Sequence, residues 1–208
     1  MRTRNVYWMT GYGLFVLALI GLSSAVFLDK IFPIDTTVLE AIHQLHSPPM
    51  DSLMVGITRL GDPFFTVPTV FVILVILWLQ KHRAEASIFL LNCFGGAIFS
   101  TGLKLLFGKV RPDLWTSTIV ETTFSYPSGH ALGSVVLYGF LAYLLGKRLP
   151  QHKLFIYAAS VLICLAIGFS RLYLGVHWPT DLAGGYLIGT LWTNFCINLL
   201  KKSEPKTA

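Results

Sequence analysis

The sequence predicts an all-α protein that crosses a membrane several times, and three observations indicate this fold class. Hydrophobic residues make up 54% of the 208 residues and charged residues only 12%. The mean hydropathy is +0.65. Several apolar stretches are each close to the roughly 20 residues that a helix needs to span a bilayer. They cover about residues 11–30, 63–80, 86–104, 129–146, 154–170 and 180–200. We therefore expect a polytopic membrane protein with six transmembrane helices, folded as a single membrane-embedded domain over residues 1–208.

The first apolar stretch has two interpretations. Arg2 and Arg4 precede it and the small residues 23–25 lie near its end, as in a secretory signal peptide. The apolar core of such a signal is usually about 7–15 residues long, and this run is longer. We therefore favour a first membrane span over residues 11–30.

The segment 31–62, between the first two spans, is predicted to contain two short helices. Apolar residues recur at helical spacing from Val38 to Leu45, and the pattern resumes after Pro48-Pro49 and continues to Leu60. Each helix is too short to cross a bilayer. We expect both to lie at the outer membrane surface as interfacial helices that cap the bundle.

The distribution of basic residues predicts the orientation of the chain. If the amino terminus is cytoplasmic, ten of the 16 Lys and Arg residues fall in cytoplasmic segments. Both termini should then face the cytoplasm, in a multi-pass protein of the plasma membrane. The net charge of +6 follows from this topology, so we expect no nucleic-acid partner. Cys93, Cys164 and Cys196 all lie in apolar stretches and predict neither a disulfide framework nor a zinc site.

Ionisable residues cluster in three short runs at the ends of predicted spans. The runs are Lys104 with Arg111-Pro112, then Pro127-Ser128-Gly129-His130, then Ser170-Arg171 with His177 and Asp181. Counting spans from the cytoplasm places all three runs on the outer face, with residues 105–128 as an outer active-site loop. Distant stretches of the chain are therefore predicted to meet at one extracytoplasmic site.

Each of these residues also has a purely structural interpretation. A lysine at the end of a span, such as Lys104, usually anchors the helix at the membrane surface. Ser128 is typical of a helix N-cap, and His130 and His177 are typical of amphipathic positions at an interface. Three cations and two histidines at one corner nevertheless exceed what packing requires. A bound phosphate dianion would account for all of them.

In this order and with these spacings, the three runs resemble the full three-part motif of the type 2 phosphatidic acid phosphatase (PAP2) superfamily. No motif position departs from the pattern, and the predicted six-span layout is similar to that of the family. The resemblance implies the helical core that these phosphatases share with vanadium haloperoxidases. It also implies an enzyme that hydrolyses the phosphate of a membrane lipid.

The residue types fit the binding of a phosphate, in agreement with the roles that the resemblance implies. Lys104, Arg111 and Arg171 provide cationic donors for the phosphate oxygens. Ser128 and Gly129 open a predicted helix, whose amino-terminal N–H groups attract anions. These five residues are the predicted phosphate-binding set.

The predicted catalytic residues are His177, His130 and Asp181. We expect His177 to be the nucleophile, because Asp181, four residues later, can hold its Nδ1 and leave Nε2 free to attack phosphorus. His130 would protonate the leaving alcohol and later activate water. The reaction would pass through a phosphohistidine. Asp181 is the only carboxylate in the three runs, so we expect no metal and no other cofactor.

A site at the outer lipid–water boundary predicts an amphiphilic substrate. Phosphatidic acid, phosphatidylglycerophosphate, undecaprenyl diphosphate and a sphingoid phosphate all fit, with membrane lipids as the surrounding partners. Lys109 is a candidate contact for a second phosphate, and Arg59 with Asp62 for the headgroup. Four aromatic residues near the site are predicted to form an interfacial belt. They are Trp115, Tyr126, Tyr173 and Trp178.

Two other functions stay open, and the oligomeric state is not predicted. A lipid phosphotransferase would pass the phosphoryl group to an acceptor hydroxyl instead of water. A non-enzymatic transporter would carry charges or broken helices near mid-span, and the predicted spans offer almost none. A haloperoxidase is disfavoured, because those relatives are soluble.

Overall fold

The computed structural model describes residues 2–28 and 31–203, with side chains described from residue 12 onward. Residues 29–30, the end of the first predicted span, lie outside the described residues. The described part is all-helical, as predicted. Its α-helices are α1 (Arg2–Leu28), α2 (Pro33–His43), α3 (Pro48–Thr58), α4 (Pro63–Leu79), α5 (Arg83–Phe107), α6 (Gly129–Ser134), α7 (Phe140–Arg148), α8 (Lys153–Tyr173) and α9 (Pro179–Ser203). Short 3-10 turns cover Arg59–Gly61 and Pro150–His152, and a π-helical turn covers Val135–Gly139.

Within the described ranges, three helical stretches are long and apolar enough to cross a membrane. They are α5, the continuous stretch Gly129–Arg148, and Pro150–Tyr173. Two more crossings are present if each of two bent helix pairs counts as one span. These pairs are Tyr12–Leu28 with α2, bent by 93°, and Pro48–Gly61 with α4, bent by 42°. The structure thus contains three to five candidate spans, and the predicted six are not confirmed.

Helix α9 is the predicted span that is not among these candidates. It contacts α1, α5 and α6 and buries residues along its length, from Asp181 to Leu200. A helix surrounded by other helices presents few side chains to lipid, so it can carry small and polar residues that lower its mean hydropathy.

Two glycines bring α9 against the start of α6. A Cβ atom on Gly185 would lie 2.7 Å from the carbonyl oxygen of Ser128, and one on Gly189 would lie 2.9 Å from that of Leu132. A side chain at either position would clash with backbone. Ser128 N also donates to the carbonyl oxygen of Asp181 over 3.0 Å. This packing holds the amino terminus of α6 beside the first turn of α9.

Proline and glycine set the helix boundaries around the site. Helices α2, α3 and α4 each begin with proline in the first turn after an extended residue, where the missing N–H costs no hydrogen bond. Helix α5 ends at Phe107 and is capped by Gly108, whose φ of 56° is left-handed. The chain then leaves the helix axis and forms the loop 108–128.

The predicted aromatic belt is wrong for three of its four members. Tyr126 and Tyr173 are fully buried and Trp178 is only 3% exposed. The hydroxyl groups of Tyr126 and Ser23 are hydrogen-bonded at 2.9 Å, and Trp178 Nε1 donates to the carbonyl oxygen of Val110 over 2.9 Å. These side chains pack the protein interior instead of facing lipid.

Candidate active site

All three sequence runs meet at one end of the helix bundle. Lys104 lies in the last turn of α5 and Arg171 in the last turn of α8. His130 lies in the first turn of α6, and Asp181 in the first turn of α9. His177 lies in the short connection between α8 and α9. The structure therefore brings together the side chains that the sequence analysis singled out.

The amino terminus of α6 is capped by Ser128. Its Oγ accepts a hydrogen bond from Ala131 N over 3.4 Å, as expected for a serine N-cap. Gly129 faces α5 closely, because a Cβ atom there would lie 3.1 Å from Ser100 Oγ and 3.9 Å from Lys104 Cε. The first N–H groups of α6 thus open next to the end of α5 that carries Lys104.

The imidazole of His177 is held from its Nδ1 side. Nδ1 lies 3.3 Å from Asp181 Oδ2 and 3.3 Å from Ser125 Oγ. Ser125 Oγ in turn donates a hydrogen bond to Asp181 Oδ2, and Trp178 N donates to the same oxygen over 2.9 Å. The orientation of the ring is therefore fixed by a carboxylate that is itself held by two donors.

The Nε2 atom of His177 faces a cation. Arg111 Nη1 lies 3.2 Å from it. A guanidinium can only donate, so Nε2 must accept and the proton of the neutral ring belongs on Nδ1. Burial, followed by the positive charges of Arg111 and Arg171, lowers the pKa of His177 well below its ordinary value. The residue is thus a neutral imidazole with an Nε2 lone pair directed at a cationic site.

On its other oxygen Asp181 has a second layer of partners, in which Lys109 and Asp35 are fully buried. Lys109 Nζ lies 2.9 Å from Asp181 Oδ1, 3.3 Å from Asp35 Oδ2 and 2.7 Å from Thr180 Oγ1. An ammonium group has three donors, and three acceptors surround this one. The prediction that Lys109 contacts a second phosphate is therefore wrong. Thr180 completes the layer by donating from N and Oγ1 to Asp35, over 3.0 and 2.7 Å.

Glu121 lies between the two arginines of the site and was missed by the sequence analysis. Its carboxylate forms an ion pair with Arg171 Nη2 and lies 3.4 Å from Arg111 Nη2. Burial opposes ionisation of Glu121, but the charges of Arg171 and Arg111 outweigh it and lower the pKa of the carboxyl group. An anionic group is therefore stabilised between the two guanidinium groups.

Arg171 is almost completely buried, with 1% of its surface exposed. Besides its pairing with Glu121, its Nη1 donates to Thr58 Oγ1 over 2.8 Å. Its Nε has no hydrogen-bond partner within the described part of the chain. Buried donors are nearly always satisfied, so this unpaired guanidinium N–H is an exception.

Lys104 and Arg111 are joined through the loop 108–128. Lys104 Nζ donates to the carbonyl oxygen of Phe124 over 2.5 Å, and Arg111 Nε donates to that of Thr123 over 2.7 Å. A cavity of about 570 Å³ opens between this loop and α5. Its wall includes both cations and Glu121, together with Ser100, Thr101 and Leu105 of α5. The cationic site thus opens into a cavity with a partly apolar wall.

His130 has a carboxylate partner that the sequence runs do not include. Its Nε2 lies 2.8 Å from Asp62 Oδ1. Asp62 was expected only as a headgroup contact together with Arg59, and it instead contacts the second histidine of the site. Within the described residues, no group of three or more His, Cys, Asp and Glu side chains is arranged to hold a metal ion.

The sequence matches a known family model and several named relatives. Residues 85–205 match the model described as the PAP2 superfamily. The chain is 32% identical to phosphatidylglycerophosphatase B of Bacillus subtilis over 181 residues, covering 86% of this chain and 88% of the relative. It is 28% identical to undecaprenyl-diphosphatase of Sulfolobus acidocaldarius over 162 residues, covering 75% and 73%.

A solved structure is similar over nearly the whole chain. It is the crystal structure of a transmembrane PAP2 type phosphatidylglycerolphosphate phosphatase from Bacillus subtilis. The TM-score is 0.87 at 28% sequence identity, and the match covers 94% of this chain and 98% of the other. The helical arrangement described above is therefore that of a known transmembrane phosphatase.

Proposed function

The chain belongs to the PAP2 superfamily and is a membrane lipid phosphate hydrolase, and we propose that it works through a phosphohistidine on His177. The observation that carries this proposal is the setting of the His177 ring. Its Nδ1 is held by Asp181, and its Nε2 accepts from Arg111 in a cationic site. A nucleophile with its lone pair directed into an anion-binding site is what phosphoryl transfer requires.

The phosphate binds between Arg111 and Arg171, where the carboxylate of Glu121 lies in the structure. The pairing of Glu121 with both guanidinium groups supports this position, because a carboxylate and a phosphate oxygen attract the same donors. Arg171 Nε is available as a further donor. Lys104 and the first N–H groups of α6, after Ser128 and Gly129, complete the set.

In the first half-reaction, His177 Nε2 forms a bond to phosphorus and the bond from phosphorus to the lipid oxygen breaks. His130 gives its proton to that leaving oxygen. Asp181, held by Ser125 and Lys109, stabilises the positive charge that develops on the His177 ring. The product of this step is a phosphohistidine and a free lipid alcohol.

In the second half-reaction, water attacks phosphorus and the N–P bond breaks. His130, now neutral, accepts a proton from the water. Inorganic phosphate leaves, and both histidines return to their starting states. The arginines and Lys104 neutralise the phosphoryl oxygens throughout, so the scheme needs no metal ion.

The substrate is a phosphate lipid, and phosphatidylglycerophosphate is the first to test. Phosphatidylglycerophosphatase B of Bacillus subtilis and the similar Bacillus subtilis crystal structure, which each match most of this chain, are named for that substrate. Lys109 is enclosed by Asp35, Thr180 and Asp181. It is therefore not available to bind the second phosphate of a diphosphate lipid. Undecaprenyl diphosphate, for which other relatives are named, and phosphatidic acid are the alternatives.

The enzyme acts at the extracytoplasmic face of the plasma membrane, with both termini in the cytoplasm. The distribution of basic residues supports this orientation. Helix α5 begins at Arg83 and carries Lys104 at its other end, and α7 ends at Lys147 and Arg148. The end of the bundle opposite the site is therefore rich in basic residues, as cytoplasmic ends are.

Phosphate release from the detergent-solubilised protein tests this function. The substrate panel contains phosphatidylglycerophosphate, phosphatidic acid, undecaprenyl diphosphate and a sphingoid phosphate, with His177→Ala as the blank. We expect free inorganic phosphate from at least one lipid and none from the blank. Phosphate that appears only on an acceptor lipid would identify a phosphotransferase instead, and no turnover of any lipid would contradict the proposal.

A further inference from the structure

Asp62 contacts His130 although it lies 68 residues earlier in the chain and belongs to none of the three sequence runs. The distance from His130 Nε2 to Asp62 Oδ1 is 2.8 Å. About a third of the Asp62 side chain is exposed, whereas His130 is 11% exposed. A largely buried histidine of the site is thus bound by a partly exposed carboxylate.

The side chain of Asp62 does not cap the helix that begins after it. Asp62 is the N-cap residue of α4, yet it makes no side-chain capping hydrogen bond. Aspartate at this position usually accepts from the N–H groups of the first turn. Here the backbone carbonyl of Asp62 accepts from Phe65 and Thr66, and the carboxylate is left to bind the imidazole.

The turn before Asp62 is shaped to lie against the His130 ring. A Cβ atom on Gly61 would lie 2.6 Å from His130 Cδ2, so only glycine allows this approach. The carbonyl oxygen of Leu60 accepts from Tyr138 Oη over 2.8 Å, which ties the same turn to the helical stretch that carries His130. The ring is therefore confined near Cδ2 by Gly61 and held at Nε2 by Asp62.

The surroundings of His130 otherwise oppose a positive charge on the ring. The charged and titratable groups that act on it are Arg171 of α8, Glu121 of the loop 108–128, His177 and Asp62. Burial of the ring opposes the charge most, Arg171 repels an imidazolium, and Glu121 is paired with the arginines. Asp62 is the carboxylate in direct contact, and a carboxylate at hydrogen-bond distance stabilises the protonated ring.

We propose that Asp62 is a positioning residue that holds His130 through Nε2, stabilises its protonated form and leaves Nδ1 to exchange the proton with the leaving oxygen. The inference rests on the proposed function, in which His130 is the general acid and base. Each histidine then has its own carboxylate. Asp181 holds His177 at Nδ1, and Asp62 holds His130 at Nε2, so opposite ring nitrogens face the substrate.

The test compares the dependence of kcat/KM on pH in four proteins: wild type, Asp62→Asn, Asp62→Glu and Glu40→Gln. Asparagine keeps a hydrogen-bond acceptor but removes the charge. Loss of the charge makes the protonated form of His130 less stable. His130 then loses its proton at a lower pH and can no longer act as the general acid above that pH. We expect the basic limb of the Asp62→Asn profile to move down by about one pH unit and kcat/KM to fall roughly 10- to 100-fold.

Two variants serve as references for this change. Asp62→Glu keeps the charge and should return the basic limb toward its wild-type position. Glu40 is an exposed carboxylate in α2 of the same 31–62 segment, so Glu40→Gln should leave the profile unchanged.

An unshifted basic limb in Asp62→Asn would overturn the proposal, and so would a shift that Glu40→Gln reproduces. Two further outcomes would assign Asp62 a purely structural role and also overturn the proposal. One is a loss of activity without a shift of the basic limb, and the other is an Asp62→Asn protein that aggregates in gel filtration. Phosphate release by His177→Ala distinguishes a failure of the proposed function from a failure of this inference. If the proposed function is wrong, His177→Ala retains turnover, and this result does not depend on the Asp62 variants.

Discussion

Lys109 and Asp181 form an ion pair in which both side chains are fully buried, with Lys109 Nζ 2.9 Å from Asp181 Oδ1. Asp181 holds His177 through its other oxygen, Oδ2, at 3.3 Å. A lysine in the spacer of the first motif is therefore connected to the nucleophile through one carboxylate. Asp35 of α2 binds the same ammonium group, so the 31–62 segment reaches the catalytic centre through this lysine.

Lys109→Met is expected to reduce both stability and turnover. Removing the ammonium leaves two buried carboxylates, Asp35 and Asp181, without their cation, and breaking a buried pair typically costs about 3–5 kcal/mol. Thermal unfolding in detergent followed by tryptophan fluorescence should show a lower Tm. The double variant Lys109→Met/Asp35→Asn should recover part of the loss, because it removes one unpaired charge. An unchanged Tm in the single variant would contradict the buried network.

Glu121→Gln is expected to strengthen the binding of small anions. The carboxylate competes with a phosphate for Arg111 and Arg171, and glutamine keeps the shape of the side chain without its charge. The inhibition constant for orthovanadate should fall roughly tenfold, which corresponds to about 1.4 kcal/mol. Thr118→Ala, at an exposed position of the same loop outside the cavity wall, is the matched control. Weaker vanadate binding in Glu121→Gln would show that Glu121 organises the arginines instead of competing for them.

Arg111→Gln is expected to move the acidic limb of the pH profile upward. Burial and then the charge of Arg111 lower the pKa of His177, so removing this charge raises the pKa toward its ordinary value. His177 is the nucleophile only when neutral, and it would then become protonated at a higher pH. The pH profiles of kcat/KM for wild type and Arg111→Gln are measured with the same substrate. The ionisation of the substrate then contributes equally to both and does not affect the difference between them. An acidic limb that stays in place would mean that it does not report His177.

Chelation is expected to leave turnover unchanged. The charge on the transferred phosphate is neutralised by Lys104, Arg111 and Arg171 in the proposed scheme, so no metal ion takes part. Phosphate release should be equal after dialysis against EDTA and after readdition of magnesium or zinc. Complete loss of activity with EDTA, restored by a divalent cation, would contradict the scheme.

Much of the site could be predicted because its residues lie at helix ends with fixed spacing. Asp181 follows His177 by one helical turn, and Ser128 caps the helix that begins at Gly129. Both relationships are local along the chain. Helix positions were predictable for the same reason, since the predicted span 129–146 corresponds to the continuous helical stretch Gly129–Arg148.

The contacts that could not be predicted come from packing across the chain. Asp35, Thr58 and Asp62 each reach a different part of the site, through Lys109, Arg171 and His130. No local spacing relates these positions, because they meet only when the 31–62 segment folds over α8 and α9. Burial was misjudged for the same reason, since composition does not distinguish a tyrosine facing lipid from one such as Tyr126 that faces another helix.

The most direct measurement of the central claim is the detection of phosphate on His177 during turnover. Purified enzyme is mixed with a lipid substrate labelled in its phosphate and stopped rapidly in alkali, where a phosphohistidine survives, and its peptides are then examined by mass spectrometry. We expect the phosphoryl group on His177 in the wild type, a weaker signal in Asp181→Asn, and neither label nor phosphate release in His177→Ala. Label on another residue, or full phosphate release by His177→Ala, would contradict the account.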